Sequence, residues 1–367
     1  MSKKTNFTRT PEQEEQDRLK RLERAQKRGV SSSSTSETHQ PPQQEHDFLD
    51  GFDQSIGLFG DSSVANGESG KIFDYGHGLL QLHLANVGGC AVKLMSHYVW
   101  NAALVMAEYI EAAQVIDVRG QRVAEFGAGA ALPGLLCVKR GAAFVTLTDY
   151  PDPTIVQNIE RNWYENLVES AQDKEARQKQ HLESIQTTAY QDLFASSSSQ
   201  RNKEKRHAIE QRVKCAVRGH AWGECVQEIL DCLPSSSISN SASNIATGNE
   251  LQMKYNWILL ADTLWVSEGH HSLLKSCCSV LEQDGKILVC CGLHTGYTVV
   301  QRFLSLARTA EFGFKTKLIE IRRMPVWGET RSDGELRQES ALLKDEDLEQ
   351  YSIEGRNRTV LVYELSR

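Results

Sequence analysis

From residue 97 onward, short apolar runs alternate with stretches in which apolar residues recur at helical spacing. The runs that read as strands are 121–126 (QRVAEF), 144–149 (FVTLTD), 213–218 (VKCAVR), 257–262 (WILLAD), 286–291 (KILVCC), 315–323 and 359–365. Between them the pattern predicts helices over 97–113, 132–140, 153–166, 223–232, 268–282 and 296–311. The runs at 257–262 and 286–291 are apolar almost throughout, as expected where helices cover both faces of a parallel sheet. Strands alternating with helices imply one doubly wound α/β domain. The last two strands flank a long polar stretch with no strong helix, which predicts an antiparallel hairpin closing one sheet edge.

Three stretches break this pattern. Residues 1–45 are polar and biased, with SSSSTS at 31–36 and QPPQQ at 40–44. They carry too little apolar surface to offset chain entropy and read as a disordered arm, with at most a short charged helix over 11–28. The body, 46–367, holds two low-complexity insertions, at about 168–206 and at 235–249 (SSSISNSASNIATGN). Surface loops lengthen at little thermodynamic cost, so both are expected outside the core.

Charge sharpens this division. Residues 1–30 carry nine Lys/Arg against five Asp/Glu, while the whole chain has a net charge of −7. A basic arm on an acidic body makes the body a poor phosphate-backbone binder. No run approaches the roughly 20 apolar residues of a membrane span, and the N-terminal sequence lacks the apolar stretch of a signal peptide. The nine cysteines are scattered without zinc-ligand spacing and read as reduced thiols. A cytoplasmic protein with no metal site is the expectation.

The chemistry concentrates where strands end. EFGAGAALPG at 125–134 closes the first long strand with a Gly-Ala-Gly turn before a helix. Gly127 and Gly129 remove Cβ atoms where the backbone must turn tightly or let a ligand approach, and Pro133 suits a first helical turn. A dinucleotide fingerprint wants a glycine at 132, where Leu132 stands, so the turn resembles instead the E/D-x-G-x-G loop of seven-strand S-adenosylmethionine (SAM) methyltransferases. Asp149 ends the next strand in TDYPDP, where a carboxylate can accept both ribose hydroxyls of a nucleoside cofactor. Asp152 is the candidate cap of the following helix. GHAWG at 219–223 sets Trp222 where a flat apolar wall would meet an adenine edge. LLADTLWVSEGHH at 259–271 brings Asp262 and Trp265 to the crevice, an acid and an aromatic suited to hold an amine beside a methyl donor. His270 and His271 open the next helix and read as capping or surface residues. Trp100, in an apolar helix, faces either core or cofactor.

VW-N-A at 99–102, EFGAGAALPG, TDYPDP with N-I-x-x-N at 158–162, GHAWG and ADTLW follow one another as in the lysine methyltransferase family numbered sixteen, which this chain resembles over about residues 50–367. The TDYPD, GHAWG and H-T-G-Y (294–297) motifs look most like its fungal elongation factor 1-alpha N-terminal and lysine methyltransferases, formerly labelled nicotinamide N-methyltransferase-like. The resemblance implies a seven-strand, Rossmann-like SAM methyltransferase fold. It implies SAM contacts at Trp100, Gly127, Ala128, Gly129, Asp149, Trp222 and Ala261, with Asp262 and Trp265 on the substrate side. It further implies a protein substrate, elongation factor 1-alpha, methylated at its N-terminal amine and an adjacent lysine. Thr263 and Val266 stand where many relatives carry an apolar and an aromatic residue. The alternatives are a small-molecule, nicotinamide-type methyltransferase and a non-catalytic SAM-fold binding protein. A nucleic-acid methyltransferase fits less well, since no N-P-P-Y-type motif is present and the body is acidic.

Overall fold

The computed structural model describes residues 65–86, 95–170, 172, 200–234, 252–325 and 333–367. The arm at 1–45, the insertion at 235–249 and most of that at 168–206 lie outside the described residues.

In chain order the strands are β1 (Ala65–Asn66), β2 (Ile72–Tyr75), β3 (Leu80–His83), β4 (Val99–Trp100), β5 (Arg122–Phe126), β6 (Phe144–Asp149), β7 (Cys215–Gly219), β8 (Tyr255–Ala261), β9 (Leu281–Gly292), β10 (Lys315–Arg323) and β11 (Thr359–Ser366). The helices are α1 (Asn101–Ala112), α2 (Leu132–Lys139), α3 (Pro153–Trp163), α4 (Gln200–Val213), α5 (Gln227–Leu230), α6 (His270–Val280), α7 (Tyr297–Ala307), α8 (Asp333–Ala341) and α9 (Ile353–Asn357). A π-helical turn, Tyr164–Val168, continues α3.

Seven strands form one sheet in the order β10-β11-β9-β8-β5-β6-β7. The pairs among β9, β8, β5, β6 and β7 are parallel, whereas β11 runs antiparallel to both β9 and β10. The expected C-terminal hairpin is therefore present, with β11 inserted between β9 and the edge strand. Because β5 and β8 are neighbours, the strand order reverses between them. Their carboxyl ends frame the crevice where ligands bind in open α/β sheets.

Two apolar layers cover the sheet. One packs α1, α2 and α3 with Leu80, Leu82, Leu135 and Trp163; the other packs α6 and α7 with Phe126, Tyr255 and Phe303. Trp163 is buried because its indole N–H reaches the Cys215 carbonyl at 3.0 Å. Phe126 is fully buried at the end of β5, so truncation to Ala would cost about 3–5 kcal/mol and loosen the strand that carries the glycine turn.

The polar segment at 200–206 forms the first half of α4 and differs from the expected loop. Its pattern is charged, and ion pairs hold it: Arg206 bonds Glu160 and Glu210, and Arg218 on β7 bonds the same buried Glu210. Asparagines do comparable work elsewhere. Asn166 both accepts from the Gln81 N–H and donates to its carbonyl, and Asn162 does the same to His83. Asn158 adds a bond to the His83 carbonyl. These residues, four apart on one face of α3 and its π turn, hold β3 as a sheet neighbour would.

Candidate active site

Glycine is required after β5 for two different reasons. Gly127 adopts φ +68°, and a Cβ there would lie 2.7 Å from the Thr263 methyl and 3.6 Å from Trp222 Cζ2. Gly129 adopts φ +54°, but a Cβ there would meet nothing within 4 Å. The turn is thus packed on one side and open on the other, as a ligand cradle must be. The Ala128 N–H bonds the Thr148 carbonyl, and Asn162 donates to the Ala130 carbonyl. Pro133 lies in the first turn of α2, as expected.

Asp149 ends β6 directly beside this turn. Its Oδ2 accepts the Gly129 N–H at 2.7 Å and its Oδ1 accepts the Tyr150 N–H at 2.7 Å. Burial pushes its carboxyl up to about 6, against the lowering pull of those two bonds. Each oxygen retains a further lone pair for a ligand hydroxyl. Asp152, not Asp149, caps α3, by accepting the Thr154 N–H. Glu125 lies beneath the turn, fully buried, with Oε2 accepting the Gly134 N–H at 2.9 Å. Burial drives its carboxyl up to about 8, the Gly134 bond lowers it, and the Asp149 charge raises it.

The GHAWG loop is stapled to α6 through one hydroxyl. Ser276 Oγ lies 2.9 Å from His220 Nε2 and accepts the Gly223 N–H at 2.8 Å. Burial holds His220 below its usual range, which suits a structural role. The half-buried Trp222 then sits between Gly127 and Gly269, whose missing Cβ would be 3.1 Å from Trp222 Cε3.

On the other side of the crevice, Ala261 ends β8 and Asp262 turns out of it at φ +57°. The Asp262 N–H donates to the Cys290 carbonyl, and its Oδ1 accepts the Gly292 N–H at 2.9 Å. His294 Nε2 is 3.9 Å from the same Oδ1. The His294 ring stacks on Trp100, centroids 5.6 Å apart, and the Trp100 indole N–H donates to the Met95 carbonyl. Trp265 is half-buried in the loop that follows.

Sequence reasoning brought out the turn, Asp149 and Asp262. It missed the work of Glu125, Asn162, Thr263 and His294, although their motifs were visible. His270 corrects its expectation as a capping or surface residue: the cap position is Gly269, and the buried His270 ring donates to the Leu264 carbonyl at 2.7 Å. His271 is exposed and pairs with Glu311.

The residues fit a nucleoside cofactor. Gly129 opens on free space, Asp149 has acceptor capacity left, and Glu125 Oε1 and Thr263 Oγ1 are buried with no hydrogen-bond partner. Among the described residues, no three His, Cys, Asp or Glu side chains are grouped to hold a metal ion, and no helix is long and apolar enough to cross a membrane.

Residues 81–193 match the sequence model of the lysine methyltransferase family. The protein N-terminal and lysine N-methyltransferase EFM7 of Kluyveromyces lactis is 26% identical over 245 residues, 66% of this chain and 75% of that protein. Its namesake in Schizosaccharomyces pombe is 27% identical over 249 residues, 67% of this chain and 75% of that protein. Among solved structures, a TehB-like SAM-dependent methyltransferase of Corynebacterium glutamicum superposes with a TM-score of 0.34 at 14% identity, covering 71% of this chain and 86% of that one. The chain is a methyltransferase of the seven-strand class, and S-adenosylmethionine is its methyl donor.

Proposed function

We propose that this methyltransferase modifies amines on a protein, the N-terminal amine and an adjacent lysine of elongation factor 1-alpha, in the cytoplasm. The observation that supports the reading is the closeness of Thr263 to the glycine turn, its methyl 2.7 Å from where a Cβ on Gly127 would lie; in this reading the adjacent Asp262 faces the same crevice. An acid in that crevice attracts an ammonium and orients the amine that follows. The relatives named for protein N-terminal and lysine methylation support a protein substrate over free nicotinamide. The motif resemblance in TDYPD, GHAWG and H-T-G-Y favours elongation factor 1-alpha.

In this reading Gly127, Ala128 and Gly129 cradle the cofactor, Asp149 accepts from its ribose, and Trp100, Trp222 and Ala261 line it. Bound SAM supplies a methyl group on a sulfonium, already an activated leaving group. Asp262 and Trp265 then need only align a neutral amine in line with that methyl, and alignment alone lowers the barrier substantially. S-adenosylhomocysteine and a methylated amine leave. A free α-amine titrates near about 8 and lysine near about 10.4, so the N-terminus is the easier nucleophile.

The test is transfer of labelled methyl from SAM into the proteome of a strain lacking this protein, with mass spectrometry of the labelled band. A label at the N-terminus of elongation factor 1-alpha, abolished by prior acetylation, is expected. Equal labelling of the acetylated factor would redirect the reading to an internal lysine. Turnover of free nicotinamide with no labelled protein would replace it by the small-molecule reading.

A further inference from the structure

Gly292 has an ordinary backbone, φ −68° and ψ 144°, which any residue adopts. Its missing side chain is therefore a matter of space. A Cβ on Gly292 would lie 2.4 Å from His294 Nδ1, 2.7 Å from His294 Cε1 and 3.3 Å from Asp262 Oδ1. Glycine at the end of β9 is what lets the imidazole and the carboxylate approach each other. The approach is deep inside the molecule, with side-chain exposures of 4% for His294 and 6% for Asp262. A buried carboxylate is costly unless polar neighbours compensate it, and Asp262 also sits in the left-handed region that few residues tolerate. Its main chain and one oxygen are fixed by β9; the imidazole is the polar side chain beside that oxygen. The other face of the histidine carries Trp100 at 26° between ring planes.

We infer that His294 is a positioning residue for methyl transfer, tying the Asp262 carboxylate and the Trp100 ring into one rigid unit at the crevice. This rests on the proposed function, in which Asp262 orients the amine. In-line attack tolerates little misplacement, so a carboxylate free to swing away from Gly292 would lose rate rather than cofactor binding. The role separates into two parts that different variants isolate. His294→Phe keeps an aromatic plane on Trp100 but takes the polar ring nitrogen away from Asp262 Oδ1, 3.9 Å off. His294→Gln keeps a polar side chain but gives up the stack. Gly292→Ala leaves His294 in the sequence and pushes its ring away.

The experiment measures SAM affinity by calorimetry and methyl transfer by initial rates on the labelled acceptor protein, for the full chain and its variants. His294→Phe should bind SAM within about twofold of the parent, lose at least about tenfold in kcat, and change KM for the protein by less than about threefold. Gly292→Ala should reproduce that loss, and His294→Gln should restore part of the rate. In the Asp262→Asn background, His294→Phe should cost nothing further, because it acts through the missing charge. Independent, multiplying losses would overturn the inference. So would an undiminished rate in His294→Phe, or a fall in SAM affinity large enough to account for the lost rate. If the parent chain labels no protein at all, the proposed function fails first and takes this inference with it; an active parent with an equally active His294→Phe overturns this inference alone.

Discussion

Asp149 and Asp262 are two aspartates at the carboxyl ends of parallel strands, each 8% exposed, yet they are held in opposite ways. Asp149 reaches back to its own half of the sheet and collects two backbone N–H groups, one of them from the glycine turn. Asp262 is carried in a left-handed backbone and is fixed by the neighbouring strand β9, with His294 at its side. The first arrangement is built from main-chain amides, which are placed by the fold itself. The second depends on a strained residue and a distant side chain. Equal burial and equal topology thus do not make equal roles. The half proposed to hold the cofactor is preset by backbone geometry, and the half proposed to face the substrate is held by contacts that a single substitution can release.

The largest expected effect is on the first aspartate. Asp149→Ala removes two charge-assisted acceptor positions worth roughly 1.5–3 kcal/mol each, so SAM affinity should fall by about 100-fold or more. Calorimetry reads this directly, and an affinity within about twofold of the parent would erase the contrast by removing Asp149 from the site. Next comes stability in the same half. Glu125 sits at about 8 against an ordinary 4.5, so the folded state favours its neutral form. The stability it contributes is complete at acid pH and is lost as pH rises between about 5 and 8, by a few kcal/mol. Denaturant unfolding across that range should show the fall in the parent and a flatter line in Glu125→Gln; parallel lines would mean that Glu125 ionises freely.

Asp262→Asn should act on rate instead, lowering transfer by about 10- to 100-fold while SAM affinity changes by less than about threefold. If both quantities fell together, the two halves would be one site and the comparison would not hold. The smallest effect concerns pH. Because burial raises Asp149 to about 6, SAM binding should be pH-independent above that value and weaken by up to about tenfold per unit below it. Asp149→Asn should lack this dependence. Retention of the acid limb in that variant would assign it to another group.

The strands Phe144–Asp149 and Lys315–Arg323 coincide with their expected limits, each preceded by a glycine turn, at Gly141 and at Gly313. Other limits were hidden. β8 starts earlier than expected, at Tyr255, whose hydroxyl is satisfied inside the protein by the Ile229 carbonyl and Thr146. The helix expected over 223–232 contracts to Gln227–Leu230, since Gly223 adopts φ +89° and its amide is tied to α6. The first half of α4 was illegible as structure because it is held by ion pairs and not by an apolar stripe. Within the site, the glycine turn and Asp149 were readable because they are local and glycine-marked. His294 was not, because its contact with Asp262 exists only once β8 and β9 pair.

The asparagine row has a consequence for the order in which the chain is made. Strand β3 leaves the ribosome with its hairpin partner β2 but well before the asparagines that bond it, and the His83 amide waits for Asn162, 79 residues downstream. Until then the polar backbone of Gln81 and His83 must be served by water, as an open strand edge. A nascent chain stopped before residue 158 therefore lacks the asparagine bonds to β3 and to the Ala130 carbonyl. Completion of α3 supplies both through Asn162, so one side chain made late joins β3 to the glycine-turn region.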